Sequence, residues 1–130
     1  MCTNVFGEPL LTCRFAPRFR VKYPFPATPP YLPRKNPTGC YQRKFKLPKS
    51  WKGGAYSILF HGAGSAYYAY VNGALVGYSQ DSCLPAEFDV TEQLKRSKTG
   101  DHTLEVVCIR WSDGSFLEDQ DHWWLSGIAR

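Results

Sequence analysis

The stretch AYYAYVNGALVGY, residues 66–78, decides the fold class. Two apolar runs flank the dipeptide Asn72-Gly73. Asparagine and glycine both tolerate a positive φ, which the two central positions of a type I′ turn require. The sequence therefore predicts a β-hairpin whose strands are joined by a two-residue turn at Asn72-Gly73.

Further short strands are predicted on both sides of this hairpin. Residues 41–47 alternate apolar and polar side chains with the period of two that is typical of a half-buried strand. Strands are also predicted at 55–61 and 102–111, with one helical turn at 91–95, a loop at 62–65 and irregular chain at 79–90. Short strands with turn signals between them and almost no helix predict an all-β protein, an antiparallel jelly-roll β-sandwich.

The composition is that of a folded domain of 130 residues, with 43% hydrophobic and 21% charged residues. No apolar run approaches the roughly 18–20 residues that would span a bilayer, and the first residues lack the apolar stretch of a secretory signal. We therefore expect a cytoplasmic protein with no membrane partner. The five cysteines contain no C-x-x-C pair, which argues against a disulfide framework or a zinc site; they are Cys2, Cys13, Cys40, Cys83 and Cys108.

Charge is distributed unevenly along the chain. Residues 1–55 contain eleven Lys and Arg but one acid, whereas residues 56–130 contain five Lys and Arg and ten acids. A basic first half with several aromatic residues raises nucleic-acid binding as a hypothesis. No nucleic-acid-binding signature accompanies the charge, and opposite faces of one fold or of a larger assembly explain it equally well. Nucleic acid is therefore not the expected partner.

Six of the ten prolines lie in YPFPATPPYLPRKNP, residues 23–37. Proline fixes φ and cannot donate a hydrogen bond to a sheet, so this segment is expected to run extended over a surface. The sequence Asn36-Pro37-Thr38-Gly39 that follows is typical of a turn.

The sequence WSDGSFLEDQDHWWLSGIAR, residues 111–130, places four carboxylates among aromatic residues. A glycosidase acid and its partner must flank the scissile bond, and carboxylates from one short segment do this poorly. A cation site is compatible with carboxylates on an irregular loop, and aromatic faces beside carboxylates also suit carbohydrate. From the residues alone, a cation site, a sugar-binding surface and a solvated loop remain open. The four carboxylates are Asp113, Glu118, Asp119 and Asp121.

Three motifs together resemble the amino-terminal sugar-binding domain of the β-galactosidases of glycoside hydrolase family 2. They are NPTGCY (36–41), VNGALVGYSQDSCLPAEFDVT (71–91) and RWSDGSFLEDQDHWWLSGIAR (110–130). The resemblance runs from about residue 21 to residue 130 and implies a galactose-binding-domain-like jelly roll. The parent enzyme would hydrolyse terminal β-D-galactosides with retention. Its acid/base and nucleophile glutamates would lie on a later barrel domain, so no catalytic residue is assigned to this chain and the chain alone is expected to be inactive.

The resemblance also implies roles for four residues. Asp121 matches an aspartate that binds a sodium ion and galactosyl hydroxyls, and Asn36 matches an asparagine that contacts bound sugar. Gln80 and Asp113 resemble ligands of a second, magnesium site. Both ions are expected in the full-length parent and neither is expected to bind tightly to the 130-residue chain.

The expected division of the chain has three parts. Residues 1–20 form an atypical segment that is interpreted as an insertion, because 6–20 separate two pieces of a family motif. Residues 21–40 form the proline-rich arm, and residues 41–130 form the jelly roll, which is expected to lack its last strand. The expected partners are galactosides and the barrel of a homo-oligomeric parent. The alternatives are a stand-alone carbohydrate-binding module and a basic nucleic-acid-binding domain.

Overall fold

The computed structural model describes residues 25–51, 53–82, 84–97, 100–118 and 125–128. These residues form eight strands, one α-helix and two short 3-10 helices. The strands are β1 (Thr38–Lys46), β2 (Ser57–Phe60), β3 (Ala63–Gly64), β4 (Ala66–Val71), β5 (Ala74–Ser79), β6 (Ala86–Asp89), β7 (Asp101–Ile109) and β8 (Gly127–Ile128). The helices are α1 (Thr91–Lys95) and the 3-10 helices Lys49–Trp51 and Asp113–Phe116. No helix in this described part of the chain is long and apolar enough to cross a bilayer.

The largest sheet has four antiparallel strands in the order β1-β7-β4-β5. Strand β7 lies inside this sheet and alternates strictly, with every second side chain buried. Burial, together with the nearby Cys40, raises the pKa of the Cys108 thiol to about 12, so Cys108 stays protonated in the core. The buried side chains of β7 are His102, Leu104, Val106 and Cys108.

The predicted hairpin is confirmed as β4 and β5. Asn72 and Gly73 have φ values of 53° and 78°, the positive values that a type I′ turn requires. The Asn72 side chain also fastens the turn to its surroundings. Its Oδ1 accepts the Thr103 N–H at 2.9 Å, and its Nδ2 donates to the Gln93 carbonyl at 2.9 Å.

Strands β2 and β6 form a second sheet that faces the first across an aromatic core. The ring of Tyr67 on β4 lies 4.9 Å from that of Phe60 on β2 and 6.2 Å from that of Phe88 on β6. The two layers approach so closely that a Cβ on Gly77 would lie 2.0 Å from Phe88 Cδ1. The all-β class and the antiparallel sandwich are therefore confirmed, with β3 and β8 adding a short third pair.

Three segments differ from the prediction. The turn predicted at 36–39 is wrong for its second half, because β1 already begins at Thr38 and pairs there with Ile109 of β7. Residues 86–89 were predicted to be irregular but form β6, and the predicted loop at 62–65 contains β3. Strand β6 pairs with β2 and β3 pairs with β8. These partners are distant in sequence, and the segments are too short to show a period of their own. The helical turn at 91–95 is confirmed as α1. The division of the chain at residues 20 and 40 and the missing last strand stay predictions.

Candidate functional site

The candidate site lies where β7 ends, on the loop 110–118 that contains the 3-10 helix Asp113–Phe116. Three serine hydroxyls hold the start of this helix against the junction between β3 and β4. Ser65 Oγ lies 2.8 Å from Ser112 Oγ and 3.1 Å from Ser115 Oγ. Ser115 Oγ also accepts the Ser112 N–H at 3.0 Å. Ser65 and Ser112 are both buried, so this network fixes the loop from the core side.

Asn36 joins the proline-rich arm to the same loop. Its Oδ1 accepts the Trp111 N–H at 2.9 Å, and its Nδ2 donates to the Trp111 carbonyl at 2.7 Å. The neighbouring Pro37 carbonyl accepts the Arg110 N–H at 3.0 Å. An amide side chain has two N–H groups and two lone pairs on its oxygen, so Asn36 keeps one of each for another partner. The predicted sugar contact of Asn36 is compatible with this geometry and stays a prediction.

Phe25 anchors the arm a second time. Its ring meets those of Trp111 and Phe116 edge to face, with centroids 5.0 Å and 5.3 Å away. Only 8% of Phe25 and 9% of Phe116 is exposed. The Phe116 ring, one of the aromatic residues among the carboxylates of residues 111–130, therefore packs on the arm. Sequence reasoning missed Phe25, because a phenylalanine among prolines carries no sign of the loop it will contact.

Gln80 and Asp113, the two residues predicted to bind magnesium, lie on the same side of the molecule. Gly114 lies beside Gln80: a Cβ on Gly114 would lie 3.4 Å from the Gln80 carbonyl oxygen and 3.7 Å from its Nε2, which are ordinary contact distances. Asp113 is exposed, and its Oδ1 accepts the Gly114 N–H at 3.0 Å. Both residues offer the oxygen ligands that a hard cation prefers.

Two residues are fewer ligands than such a cation takes. The described ranges contain no group of three or more His, Cys, Asp or Glu side chains arranged around one point. The magnesium roles predicted for Gln80 and Asp113 would need further ligands or water to complete the shell, and they stay predictions.

Tyr78 orients Gln80. Its hydroxyl donates to Gln80 Oε1, which leaves that oxygen a second lone pair. Burial raises the pKa of Tyr78 above its usual range, and Tyr68 and the carboxylate of Asp113 raise it further. The phenol therefore remains a hydrogen-bond donor at neutral pH.

Of the other three carboxylates in residues 111–130, one makes hydrogen bonds to a neighbouring loop and two lie outside the described residues. Glu118 Oε1 accepts the Ser82 N–H at 3.0 Å and its Oε2 accepts the Ser82 hydroxyl at 2.7 Å. Glu118 therefore ties the loop after Gln80 to loop 110–118. Asp119 and Asp121 lie outside the described residues, so the sodium and sugar roles expected of Asp121 stay predictions.

Comparison with known proteins gives one family. The model of the glycosyl hydrolases family 2 sugar binding domain matches residues 12–130. The β-galactosidase of Psychromonas ingrahamii is 54% identical over 110 residues, which cover 85% of this chain and 10% of that protein. The β-galactosidase of Vibrio cholerae serotype O1 is 48% identical over 125 residues, which cover 96% of this chain and 11% of that protein.

A solved structure agrees with the fold. The crystal structure of Bacteroides uniformis β-glucuronidase matches with a TM-score of 0.64 and 28% identity, over 72% of this chain and 11% of that one. This chain spans about a tenth of the length of the curated relatives it matches. Since the family match extends from residue 12 to the last residue, the resemblance found in the sequence is confirmed, and the chain belongs to the sugar-binding domain family of the family 2 glycosyl hydrolases.

Proposed function

We propose that this chain is the amino-terminal sugar-binding domain of a β-galactosidase that hydrolyses terminal β-D-galactosides with retention. One observation carries the proposal. Relatives called β-galactosidase are 48–55% identical over at least 85% of the chain, whereas the solved β-glucuronidase is 28% identical over 72% of it. A retaining enzyme needs two carboxyl groups about 5 Å apart on either side of the glycosidic bond. We assign both to the catalytic part of the parent.

In this proposal the loop 110–118 and the end of the arm form part of the rim of the sugar pocket. The remaining N–H and lone pair of Asn36 hydrogen-bond a sugar hydroxyl. Gln80 and Asp113 contribute oxygen ligands to a magnesium ion, and Asp121 contributes a carboxylate to a sodium ion and to galactosyl hydroxyls. The magnesium ion supplies positive charge that holds the Gln80 segment and loop 110–118 together. The cytoplasmic location and the homo-oligomeric parent belong to the same proposal.

A domain exchange tests this assignment. Residues 12–130 replace the corresponding domain of the Psychromonas ingrahamii β-galactosidase, and nitrophenyl β-galactoside and β-glucuronide are offered as substrates. We expect hydrolysis of the galactoside alone. The matched control carries the corresponding domain of the Bacteroides uniformis β-glucuronidase and should lose galactoside turnover. A folded exchange protein that hydrolyses no galactoside, or that prefers the glucuronide, would contradict the proposal.

The isolated chain provides the second part of the test. It should show no turnover of the nitrophenyl galactoside, because it has neither catalytic carboxylate of the parent. Calorimetry with galactose and lactose tests the alternative that the chain is a stand-alone carbohydrate-binding module. Binding with a dissociation constant of about 50 μM or tighter, near −6 kcal/mol, would favour an independent carbohydrate-binding module.

A further inference from the structure

The proline-rich arm is attached to loop 110–118 at both of its described ends. At one end the Phe25 ring packs on Trp111 and Phe116. At the other end Asn36 and Pro37 hydrogen-bond the backbone of Trp111 and Arg110. The residues between these ends form no helix or strand. The arm therefore acts as a strap across the loop rather than as a free lead-in.

Asp113 lies between the two residues that Phe25 contacts. Trp111 precedes Asp113 in the chain. Asp113 begins the 3-10 helix and Phe116 ends it. Gly114, one residue after Asp113, lies beside Gln80. A shift of the Trp111 or Phe116 ring would therefore move Asp113 relative to Gln80.

We infer that Phe25 is a positioning residue for the cation site, which it serves by holding Asp113 next to Gln80. The inference rests on the magnesium ligands of the proposed function. Phe25 itself offers no ligand atom. Its buried ring keeps loop 110–118 in one conformation, so that a cation does not have to organise the loop when it binds. Residues that orient metal ligands in this way change metal affinity when they are mutated, although they do not touch the ion.

Mn²⁺ is a suitable probe, because it prefers oxygen ligands and broadens the NMR signals of nearby amides. The full 130-residue chain is labelled with ¹⁵N and titrated with Mn²⁺ into the millimolar range, where weak binding is detected. We expect the amides of Gln80, Asp113 and Gly114 to broaden first. In Phe25→Ala, the same broadening should need about tenfold more Mn²⁺.

Two variants control for a general loss of structure. Phe25→Leu keeps an apolar side chain in the pocket and should restore most of the Mn²⁺ response. It also carries the test if Phe25→Ala does not fold. Tyr31→Ala changes an aromatic residue of the same arm that is 74% exposed, and it should respond as the wild type does.

The outcomes separate the inference from the function on which it rests. An unchanged Mn²⁺ response in folded Phe25→Ala would overturn the positioning role. If the wild type shows no selective broadening at Gln80 and Asp113, these two residues do not hold a cation in this chain, and the cation role of Phe25 is wrong. Hydrogen exchange of the Trp111 and Leu117 amides then tests the strap alone. These amides bond to Asn36 and to the Gly114 carbonyl, and exchange that is unchanged in Phe25→Ala would overturn the strap as well.

Discussion

The turn of the β4–β5 hairpin and the loop 110–118 both follow a strand of the four-stranded sheet, but different contacts determine their conformations. The hairpin turn is specified by its own two residues, which adopt the positive φ values of a type I′ turn. The loop has a local capping contact, from the Ser112 N–H to Ser115 Oγ, but this contact does not position the loop on the sandwich. The loop is held by residues that precede it by tens of positions, and these are Phe25, Asn36, Ser65 and Ser82.

The hairpin and the loop also differ in how far the stability of the whole domain depends on them. The hairpin strands belong to the four-stranded sheet, and Tyr67 and Gly77 lie against the opposite layer of the sandwich. The loop follows the end of β7 and carries an exposed Asp113. Changes in the hairpin should therefore lower the free energy of unfolding of the whole domain. Changes in the strap should open the loop while the sandwich remains folded.

The largest effect is expected from Gly77→Ala in the hairpin. The added Cβ would lie 2.0 Å from Cδ1 and 2.1 Å from Cε1 of Phe88. Phe88 is itself packed against Phe60 and Tyr67, so its ring has little room to withdraw. We expect the free energy of unfolding to fall by about 3 kcal/mol, measured by urea unfolding followed by circular dichroism.

Two further variants show whether the clash between the added methyl group and Phe88 causes the loss of stability in Gly77→Ala. Gly73→Ala adds the same methyl group where no atom lies within 4 Å, so only its positive φ is strained, at a cost of about 1 kcal/mol. Phe88→Val in the Gly77→Ala background should remove the clash, so that the double variant is less destabilised than the sum of the single changes. Additive effects of the two changes would show that the clash with Phe88 is not the source of the destabilisation in Gly77→Ala.

Asn72→Ala should have an intermediate effect. It removes the hydrogen bonds to Thr103 and Gln93 and leaves alanine at a φ of 53°. We expect a loss of about 2 kcal/mol in the free energy of unfolding, divided between the backbone and the hydrogen bonds. Asn72→Gly removes the same bonds but tolerates the positive φ, so it should lose about 1 kcal/mol. Equal losses in the two variants would show that backbone conformation contributes nothing at this turn.

Much of the sandwich could be predicted from the sequence, because its signals are local. The alternation at 41–47, the hairpin and the turn of α1 each depend on neighbouring residues and were all found. Strands β6 and β3 were missed because each is defined by pairing with a distant partner. A segment of two to four residues has too little pattern of its own to show that partner.

The candidate site was less predictable for the same physical reason. Residue types alone left the acidic stretch open between a cation site, a sugar surface and a solvated loop. The family resemblance selected Gln80 and Asp113, which the structure places on one side of the molecule. Neither approach located Phe25 or the Ser65 network. An aromatic ring or a hydroxyl identifies its partner only after the chain has folded around it.

The smallest change in overall stability is expected from Asn36→Ala, which releases the strap at the end opposite to Phe25. It removes two hydrogen bonds to the backbone of Trp111, and water can reach this half-buried position. We expect the free energy of unfolding to fall by only about 1 kcal/mol. Hydrogen exchange of the Trp111 amide should nevertheless become about fivefold faster, since about 1.4 kcal/mol of local opening corresponds to a factor of ten. Thr38→Ala is the matched control, because its hydroxyl makes only a long, exposed contact of 3.4 Å with the Asn36 carbonyl. If Asn36→Ala accelerated exchange equally in β7 and in the loop, the two regions would unfold as one unit, and the contrast between a locally specified hairpin and a separately held loop would be wrong.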